Sequence, residues 1–509
     1  MEPDIGGSYA AQMVLLHPSL RRSILVLGCA LALFAAACGG GGDETGGGPE
    51  ADPSGGDCPV DALDDAEGPI EIDLWHTEIG LNAKALQKIV DRYEGSQDKV
   101  EVDLQFQGTF EEQLKKYEDA SGDPASLPDI VSPDDTVTQY MVDSGTVIPV
   151  QSCIDADPDA QAIYDDMVPI VNAAYSIDGV LWPGAFAAAG AATFINEAHF
   201  EAAGLDPATD QPETLAELRS VAEQIAAANI EGVEAPLVMR IEAWPLEFLT
   251  SGAMEPVVDN DNGRSALATQ SDYANDVTLE VLEFVDSMAD DGLLKYTDNA
   301  DQIAPYLAMA TESSSMLIDS SSAIRTVDGA VGGTLTPDQL GLEGEVDDLS
   351  GFSFPDLRLT VGELPGLTEP GKGQMGGAAW YLVAGEDDTQ VAAAWDFMKY
   401  FNQTPQQVTW AVEGSSFPVR RAAAEDPELL AYWADTQSGR WMAQAYKGFT
   451  SLDPDFPGPV IGPYREFRLE VKNGLESIIL TGEDPSTAME QIDAGFQTAL
   501  DDYATDVGR

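Results

Sequence analysis

The sequence has few basic residues and few histidines. Its 509 residues include 24 lysines and arginines against 89 aspartates and glutamates, a formal net charge of −65. This charge repels phosphate backbones and anionic lipid surfaces, which argues against nucleic acid as a partner. Of the three histidines, His76 and His199 have no cysteine or second histidine at metal-ligand spacing. The sequence therefore predicts neither a metal site nor another cofactor.

Motifs of hydrolytic and calcium-binding sites are also missing. There is no serine-hydrolase elbow and no zinc-binding helix motif. The stretch Asp259-Asn260-Asp261-Asn262-Gly263 begins like a calcium loop but misplaces its glycine. We interpret that stretch as a turn. Because 89 acids make chance carboxylate pairs unavoidable, a secreted glycan-acting enzyme, which needs two carboxylates at a set separation, stays as an alternative.

A single apolar run near the start of the chain, 24–37, follows Arg21 and Arg22. It is long enough for a signal peptide and too short to span a bilayer. The run ends at Cys38 in a stretch that resembles the lipobox of bacterial lipoproteins, and Cys29 offers a competing match with almost no apolar run before it. We expect 1–37 to be a lipoprotein signal peptide, Cys38 to be lipidated, and the Gly-rich residues 38–57 to form a flexible tether.

Cysteine is scarce, with four in the chain. Once the signal peptide is removed and Cys38 is lipidated, Cys58 and Cys153 remain. An even number of cysteines in an exported protein predicts a disulfide between them. Two unpaired buried thiols are the alternative.

Apolar residues alternate along 70–75 and 100–106 as in strands, and 128–131 leads into a third strand. Helical spacing separates them, at 81–93 and again at 111–120. This pattern predicts a parallel α/β sheet. Further helical stripes at 215–225, 277–288 and 391–401 are interpreted as core-facing, and the short apolar runs 316–318 and 380–383 as points where the chain crosses between lobes.

Several motifs occur in an order and spacing that resemble one family. The motifs include Leu74-Trp75-His76, Gln107-Gly108-Thr109-Phe110, Leu127-Pro128-Asp129-Ile130, Ile177-Asp178-Gly179-Val180-Leu181-Trp182-Pro183, Pro212-Glu213-Thr214-Leu215, Met375-Gly376-Gly377-Ala378 and Ser416-Phe417-Pro418-Val419. Over 70–503 the chain is similar to the extracellular solute-binding proteins of carbohydrate-type ABC importers, which include maltodextrin and glycerol-3-phosphate binders.

The resemblance implies an α/β, two-lobed, type II periplasmic-binding-protein-like fold with a hinge between the lobes. We expect lobe 1 to comprise 58–190 and 319–384, and lobe 2 to comprise 191–318 and 385–509. The implied function is to capture a sugar or oligosaccharide in an interlobe cleft and deliver it, chemically unchanged, to ABC permease subunits. The implied protein is a monomer, held by its lipid anchor on the outer face of the cytoplasmic membrane. A glycerol-3-phosphate or related phosphodiester binder and a surface scaffold without a permease are alternatives.

Candidate ligand-binding residues follow from the resemblance and from their positions near strand ends. They are Trp75, His76, Phe110, Asp134, Trp182, Phe186, Trp244, Ser321, Gly376, Gly377, Ser416, Phe417 and Arg468. In a sugar site, aromatic faces cover C–H surface, acids accept hydroxyl hydrogens and glycines let the backbone approach the ligand.

Each candidate also has an ordinary structural interpretation. The aromatic residues are equally suited to the core, and Asp134 to the N-terminus of a helix. Phe110 stands where glycerol-phosphate binders of the family show tyrosine, which weakens that alternative. Arg468 suits a phosphate, but salt bridges to Glu466 or Glu470 would also explain it.

Overall fold

The computed structural model of the protein describes residues 58–508, apart from 298–303, 337–353 and the single positions 65, 67, 335, 355, 370, 372 and 386. The predicted signal peptide, the tether and Cys38 lie outside the described residues. Throughout the part that is described, no helix is long and apolar enough to cross a membrane.

A first sheet has the strand order β2-β1-β3-β13-β4, with β7 also paired to β13. Its strands are β1 (Ile70–His76), β2 (Val100–Phe106), β3 (Ile130–Val131), β4 (Val147–Ile148), β7 (Gly184–Ala189) and β13 (Gly376–Val383). β1 pairs in parallel with β2 and β3, whereas β13 is antiparallel to β3, β4 and β7. The first three strands thus form the parallel arrangement predicted from the sequence.

A second sheet has the order β10-β9-β11-β8-β12. Its strands are β8 (Ala191–Asn196), β9 (Ala235–Arg240), β10 (Leu294–Thr297), β11 (Ser314–Ser320) and β12 (Leu359–Gly362). β9 is parallel to β10 and β11, and β8 is antiparallel to β11 and β12. A separate hairpin is made by β5 (Ser176–Ile177) and β6 (Val180–Leu181). We call each of the two larger sheets, together with the helices packed on it, a lobe.

Helices cover both sheets. They are α1 (Gly80–Glu94), α2 (Phe110–Ala120), α3 (Thr138–Asp143), α4 (Val150–Ala156), α5 (Pro158–Tyr164), α6 (Pro169–Ala174), α7 (Glu197–Ala202), α8 (Leu215–Ala227), α9 (Trp244–Gly252), α10 (Asp259–Asn262), α11 (Asp276–Asp290), α12 (Ala304–Ala310), α13 (Ile324–Gly332), α14 (Asp388–Phe401), α15 (Thr404–Glu413), α16 (Arg421–Ala424), α17 (Pro427–Asp435), α18 (Gln437–Thr450), α19 (Tyr464–Glu476) and α20 (Pro485–Asp506). The buried positions of α1, α8, α11 and α14 are those of the predicted apolar stripes.

Local sequence explains where several of these helices begin. The hydroxyl oxygens of Thr109 and Thr214 each accept a hydrogen bond from the backbone N–H of a glutamate three residues later. The side-chain carboxylate of that glutamate accepts a hydrogen bond from the threonine N–H. These capping boxes satisfy backbone donors that a helix start leaves open. In α10, residues 260–262 have φ of +56 to +57°, so the predicted turn is confirmed as a left-handed one.

Two of the predicted lobe boundaries are wrong. The segment 319–384 was expected to lie wholly in lobe 1, yet β12 pairs with β8 in the second sheet. The segment 385–509 was expected to lie in lobe 2, yet α14 packs on β1 and β13 in the first lobe. α19 and α20 do belong with the second sheet, where their side chains share one core. The chain therefore passes from the first sheet to the second at Gly190 and back to the first within 363–375, and after 451–463 it returns to the core of the second lobe with α19. The predicted crossings at 316–318 and 380–383 are wrong, because these residues lie within β11 and β13.

Gly190 is hydrogen-bonded to Ser321, the residue that follows β11. The Ser321 N–H donates to the Gly190 carbonyl at 2.8 Å, and the Gly190 N–H donates to Ser321 Oγ at 3.1 Å. Cys58, at the start of the described chain, forms a disulfide with Cys153 on α4. The disulfide fastens the start of the described chain to that helix. The predicted pairing is confirmed.

Candidate functional site

Charged side chains from both lobes meet where strands of the two sheets end. Asp134 and Asp135 follow β3 in the first lobe, and Glu247 on α9 and Arg468 on α19 belong to the second. We call these four residues the boundary cluster. Because the loops after parallel strands collect at one edge of a sheet, this is the edge at which open α/β sheets bind ligands.

Arg468 is the centre of the boundary cluster. Its Nε lies 2.9 Å from Glu247 Oε1 and its Nη2 lies 3.0 Å from Glu247 Oε2, which makes a two-point ion pair. Its Nη1 lies 3.8 Å from Asp134 Oδ2 across the lobe boundary. The interpretation that Arg468 pairs with Glu466 or Glu470 is therefore wrong, because the side chain turns toward α9 and the other lobe.

The two aspartates of the boundary cluster differ in environment. Asp134 accepts hydrogen bonds from the N–H and the hydroxyl of Thr136. Burial raises the pKa of the Asp135 carboxyl well above its ordinary value, the Asp134 carboxylate raises it further, and Arg468 lowers it. A raised pKa favours the protonated carboxyl, so Asp135 can donate a hydrogen bond where Asp134 accepts one.

Trp244 presents a half-buried indole close to the end of β9. It begins α9, because Pro245 at the first turn favours a helix start. The indole N–H donates to Glu242 Oε2 at 2.5 Å, and the ring packs edge-on against Phe248 with a centroid separation of 5.3 Å. Burial raises the pKa of the Glu242 carboxyl.

His76, Trp75 and Phe110 lie at the corresponding edge of the first sheet. His76 is buried, and its Nδ1 accepts a hydrogen bond from the Glu78 N–H at 3.2 Å. Trp75 is half-buried and donates its indole N–H to Gln105 at 3.0 Å. Phe110 is half-buried at the start of α2. These three remain candidates for ligand contact.

Four candidate residues are core residues in the structure. Phe186 is 1% exposed and stacks on Trp380 and Trp410 at centroid separations of 4.6 and 5.3 Å. Phe417 is equally buried, packs on the rings of Tyr446 and Phe449 of α18, and donates its N–H to the Ala188 carbonyl.

Ser321 and Ser416 are buried too, with exposed fractions of 1% and 4%. The side chains of Phe186, Phe417, Ser321 and Ser416 are thus all buried in this structure, and ligand contact at these four positions stays a prediction.

Trp182, Gly376 and Gly377 support the strands beside the boundary. The backbone of Trp182 bonds to Tyr175 and Val150. Gly376 and Gly377 begin β13 and pair with β7, and Gly377 has φ of +139°. A Cβ on Gly377 would lie 1.9 Å from the Ala187 carbonyl oxygen, so glycine is required for strand pairing here.

Sequence reasoning missed Glu247 and the Arg240–Asp319 pair. Arg240 Nη2 donates to both carboxylate oxygens of Asp319 at 2.7 and 2.6 Å, and its guanidinium lies 5.6 Å from the centroid of the Tyr306 ring. α9 begins Trp-Pro-Leu-Glu-Phe-Leu. A single charged residue within this apolar stretch was the sequence signal that could have identified Glu247.

Other side chains also cross the boundary between the lobes. Arg465 on α19 lies 3.9 Å from Glu118 on α2, and the Tyr503 hydroxyl on α20 donates to Asp143 on α3 at 2.9 Å. These contacts and the Arg468–Asp134 contact bring α19 and α20 against the first lobe.

Arg264 joins the lobes through backbone carbonyls. Its Nη1 donates to the carbonyls of Ala173, Ala174 and Ser176 at 2.9, 3.2 and 3.0 Å, all from the first lobe. Its Nε donates to the Gly458 carbonyl at 2.9 Å, in the segment between α18 and α19. Burial lowers the pKa of this guanidinium to about 10, so it still carries its charge at neutral pH.

A cavity of about 300 Å³ lies elsewhere, on the surface of the second lobe. It is lined by Glu255, Pro256, Ser271, Asp272, Ala274, Asn275 and Asp493. No member of the boundary cluster borders it.

Comparison with known proteins extends the description of the fold. A sequence model of the family described as bacterial extracellular solute-binding protein matches residues 88–437. The chain is 22% identical over 433 residues to the sn-glycerol-3-phosphate-binding periplasmic protein UgpB of Yersinia pestis bv. Antiqua (strain Antiqua), and the alignment covers 82% of this chain and 90% of that protein.

Two solved structures are similar to this one. The cyclic alpha-maltosyl-1,6-maltose binding protein from Arthrobacter globiformis superposes with a TM-score of 0.66 at 18% identity, covering 86% of this chain and 100% of the other. UgpB from Mycobacterium tuberculosis in complex with glycerophosphocholine gives a TM-score of 0.65 at 17% identity, covering 86% and 99%. The likeness confirms the predicted two-lobed α/β fold of type II.

Proposed function

Because the chain belongs to the bacterial extracellular solute-binding proteins, we propose that it captures a sugar or oligosaccharide between its lobes and passes it, chemically unchanged, to the permease of an ABC importer. The boundary cluster carries this proposal. Polar groups of both lobes converge there, so a ligand bound between them gains contacts only when the lobes are together. This is the requirement for a ligand to drive closure.

The chemistry near the boundary cluster suits a neutral, hydroxyl-rich ligand. Asp134 and Glu242 offer carboxylate acceptors for hydroxyl hydrogens, and the half-buried Trp244 offers an aromatic face for C–H surface. Asp134 and Glu247 place two carboxylates beside the one guanidinium of Arg468. The excess of acid opposes binding of an anion.

A glycerol phosphate or related phosphodiester is the second candidate ligand. Arg468 favours it, because a guanidinium binds phosphate through two parallel hydrogen bonds. The similarity to UgpB of Yersinia pestis, which is named as a sn-glycerol-3-phosphate-binding protein, favours it as well. Phe110, without the hydroxyl of a tyrosine, counts against it.

The proposal includes where the protein works and with which partners. It places the chain outside the cytoplasm as a monomer, anchored through lipidated Cys38 to the outer face of the membrane, with the permease as its protein partner. The family description as extracellular supports the location. Metabolic labelling with a fatty acid, compared between the wild type and Cys38→Ala, tests the anchor.

A thermal-shift panel of mono- and oligosaccharides, polyols and glycerol phosphates tests the proposed ligand class. A ligand that binds only the folded state raises the melting temperature. With the best sugar, Trp244→Ala is expected to weaken binding about three- to tenfold through the lost aromatic contact. Trp433→Ala is the matched control, because Trp433 on α17 is also half-buried but packs on Tyr446 of α18.

Two results would refute the proposal. One is a panel in which neither a sugar nor a glycerol phosphate changes the melting temperature. The other is cleavage of the bound ligand during the measurement, since that would identify an enzyme.

A further inference from the structure

We infer that Glu247 sets the charge selectivity of the proposed site by holding Arg468 in a closed ion pair, so that the site takes neutral polyhydroxylated ligands in preference to phosphates. The inference rests on the proposed function and narrows its ligand class. Glu247 is a positioning residue in this inference, because it acts on the ligand only through Arg468.

The first step is the geometry of the pair. Glu247 is 4% exposed within α9, and two of its hydrogen bonds from Arg468 run in parallel at 2.9 and 3.0 Å. The Tyr464 hydroxyl donates a third hydrogen bond at 3.3 Å, and the Arg468 guanidinium lies 5.2 Å from the centroid of the Tyr464 ring. Such a two-point pair, fixed on a third side chain, holds its geometry better than a single contact.

The second step concerns the edge of the Arg468 guanidinium that does not face Glu247. Arg468 Nη1 faces Asp134 Oδ2 at 3.8 Å from the other lobe. Arg468 therefore has a carboxylate on both sides, and its charge is balanced before any ligand arrives.

The third step compares the electrostatic cost of binding a phosphate with that of binding a neutral hydroxyl group. A phosphate that reaches Arg468 brings its own negative charge beside Glu247 and Asp134, and like charges a few ångströms apart repel even in water. A hydroxyl group avoids this repulsion and can donate to the same carboxylates. The pair thus discriminates by charge and keeps the site polar.

Isothermal titration calorimetry on the whole protein tests this inference. The probes are sn-glycerol 3-phosphate, inorganic phosphate and the best neutral sugar from the thermal-shift panel. Glu247→Gln is expected to bind glycerol phosphate about tenfold more tightly than the wild type does. The gain is expected to vanish in the double variant Glu247→Gln/Arg468→Gln, because it depends on the freed guanidinium.

Glu201→Gln is the matched control. Glu201 also makes a two-point ion pair, with Arg358, but on the exposed surface of the second lobe. Its substitution should leave all three affinities unchanged. If Glu247→Gln does not fold, Asp134→Asn serves instead, since it removes the other carboxylate beside Arg468 from a half-buried position. A gain of about threefold in glycerol phosphate affinity is expected there.

The outcomes separate the inference from the proposed function. The inference is overturned if the neutral sugar binds but neither variant gains affinity for phosphate, or if Glu247→Gln binds glycerol phosphate less tightly than the wild type. The inference is also overturned if the wild type binds sn-glycerol 3-phosphate more tightly than the neutral sugar. The proposed sugar ligand is overturned if no neutral sugar binds the wild type, and a gain in phosphate affinity for Glu247→Gln then shows only that Glu247 withholds Arg468 from phosphate.

Discussion

At the scale of single residues, His76 and Glu78 at the end of β1 have pKa values displaced in opposite directions. Burial lowers the pKa of the His76 imidazole from 6.5 to about 4 and raises the pKa of the Glu78 carboxyl from 4.5 to about 7. Both shifts favour the neutral form. Neutral His76 is also what the hydrogen bond requires, because its Nδ1 accepts from the Glu78 N–H.

His76→Gln is expected to make stability less dependent on pH. The folded-state pKa of His76 lies below the unfolded value, so its contribution is present above pH 6.5 and is lost as the pH falls toward 4. Between pH 7 and 4, the wild type should lose up to about 3 kcal/mol more than His76→Gln. Urea denaturation at both pH values measures the difference.

Glu78 acts in the opposite sense, because a raised folded-state pKa removes stability as the pH rises from 4.5 to 7. Glu78 is present in both proteins, so its effect cancels in the comparison. Equal losses in wild type and variant would show that His76 ionises normally in the folded state.

The sequence indicated which residue types to inspect but not which aromatic rings are buried. Trp244 and Phe186 were both plausible platforms, yet Phe186 packs on Trp380 and Trp410. Those rings lie about 200 residues away in sequence, and periodicity contains no information on such partners. Glu247 was missed for the same reason, since its role is defined by Arg468 on another helix.

At the scale of elements, strands and helices with strong periodicity were predicted closely. The alternation in 70–75 and 100–106 corresponds to β1 and β2, and the stripe at 391–401 to α14. The lobe assignment of β12 and α14 was wrong, because it depends on long-range pairing and packing. The disulfide was predictable, because only two cysteines remained to pair.

Removal of the disulfide is expected to destabilise the first lobe. It closes a loop with a sequence separation of 95 residues, and the chain-entropy model gives about 4 to 5 kcal/mol for such a loop. Cys58→Ser/Cys153→Ser should therefore unfold at a lower urea concentration than the wild type. A reductant should shift the wild type to the same midpoint and leave the double variant unchanged. A wild-type midpoint that is insensitive to full reduction would contradict this account.

At the scale of the whole molecule, charge is the dominant feature. A net charge of −65 places many carboxylates of the surface within a Debye length of one another at low ionic strength. Their repulsion opposes the compact state. The composition alone establishes this repulsion between carboxylates. The fold adds only the information on which carboxylates the individual arginines pair with.

Sodium chloride is therefore expected to stabilise the protein. Between about 0.02 and 0.5 M salt, the melting temperature at pH 7 should rise on the order of 5 °C as screening reduces repulsion. The same titration at pH 4 is the control, since many carboxylates are then protonated and the rise should shrink. A melting temperature that falls with salt at pH 7 would mean that ion pairs outweigh the repulsion.

Arg264 limits how the two halves of the molecule can move. Its buried guanidinium has carbonyl partners on both sides, and separating the halves at that point would strand a cation without acceptors. We therefore expect opening to be a rotation whose axis passes near Arg264. Paired spin labels beside Ala173 and Gly458 should keep their spacing while labels at Glu118 and Arg465 move apart. Domain motion would then be a hinge rotation in which the contact between one arginine and several peptide carbonyls is kept in both the open and the closed state.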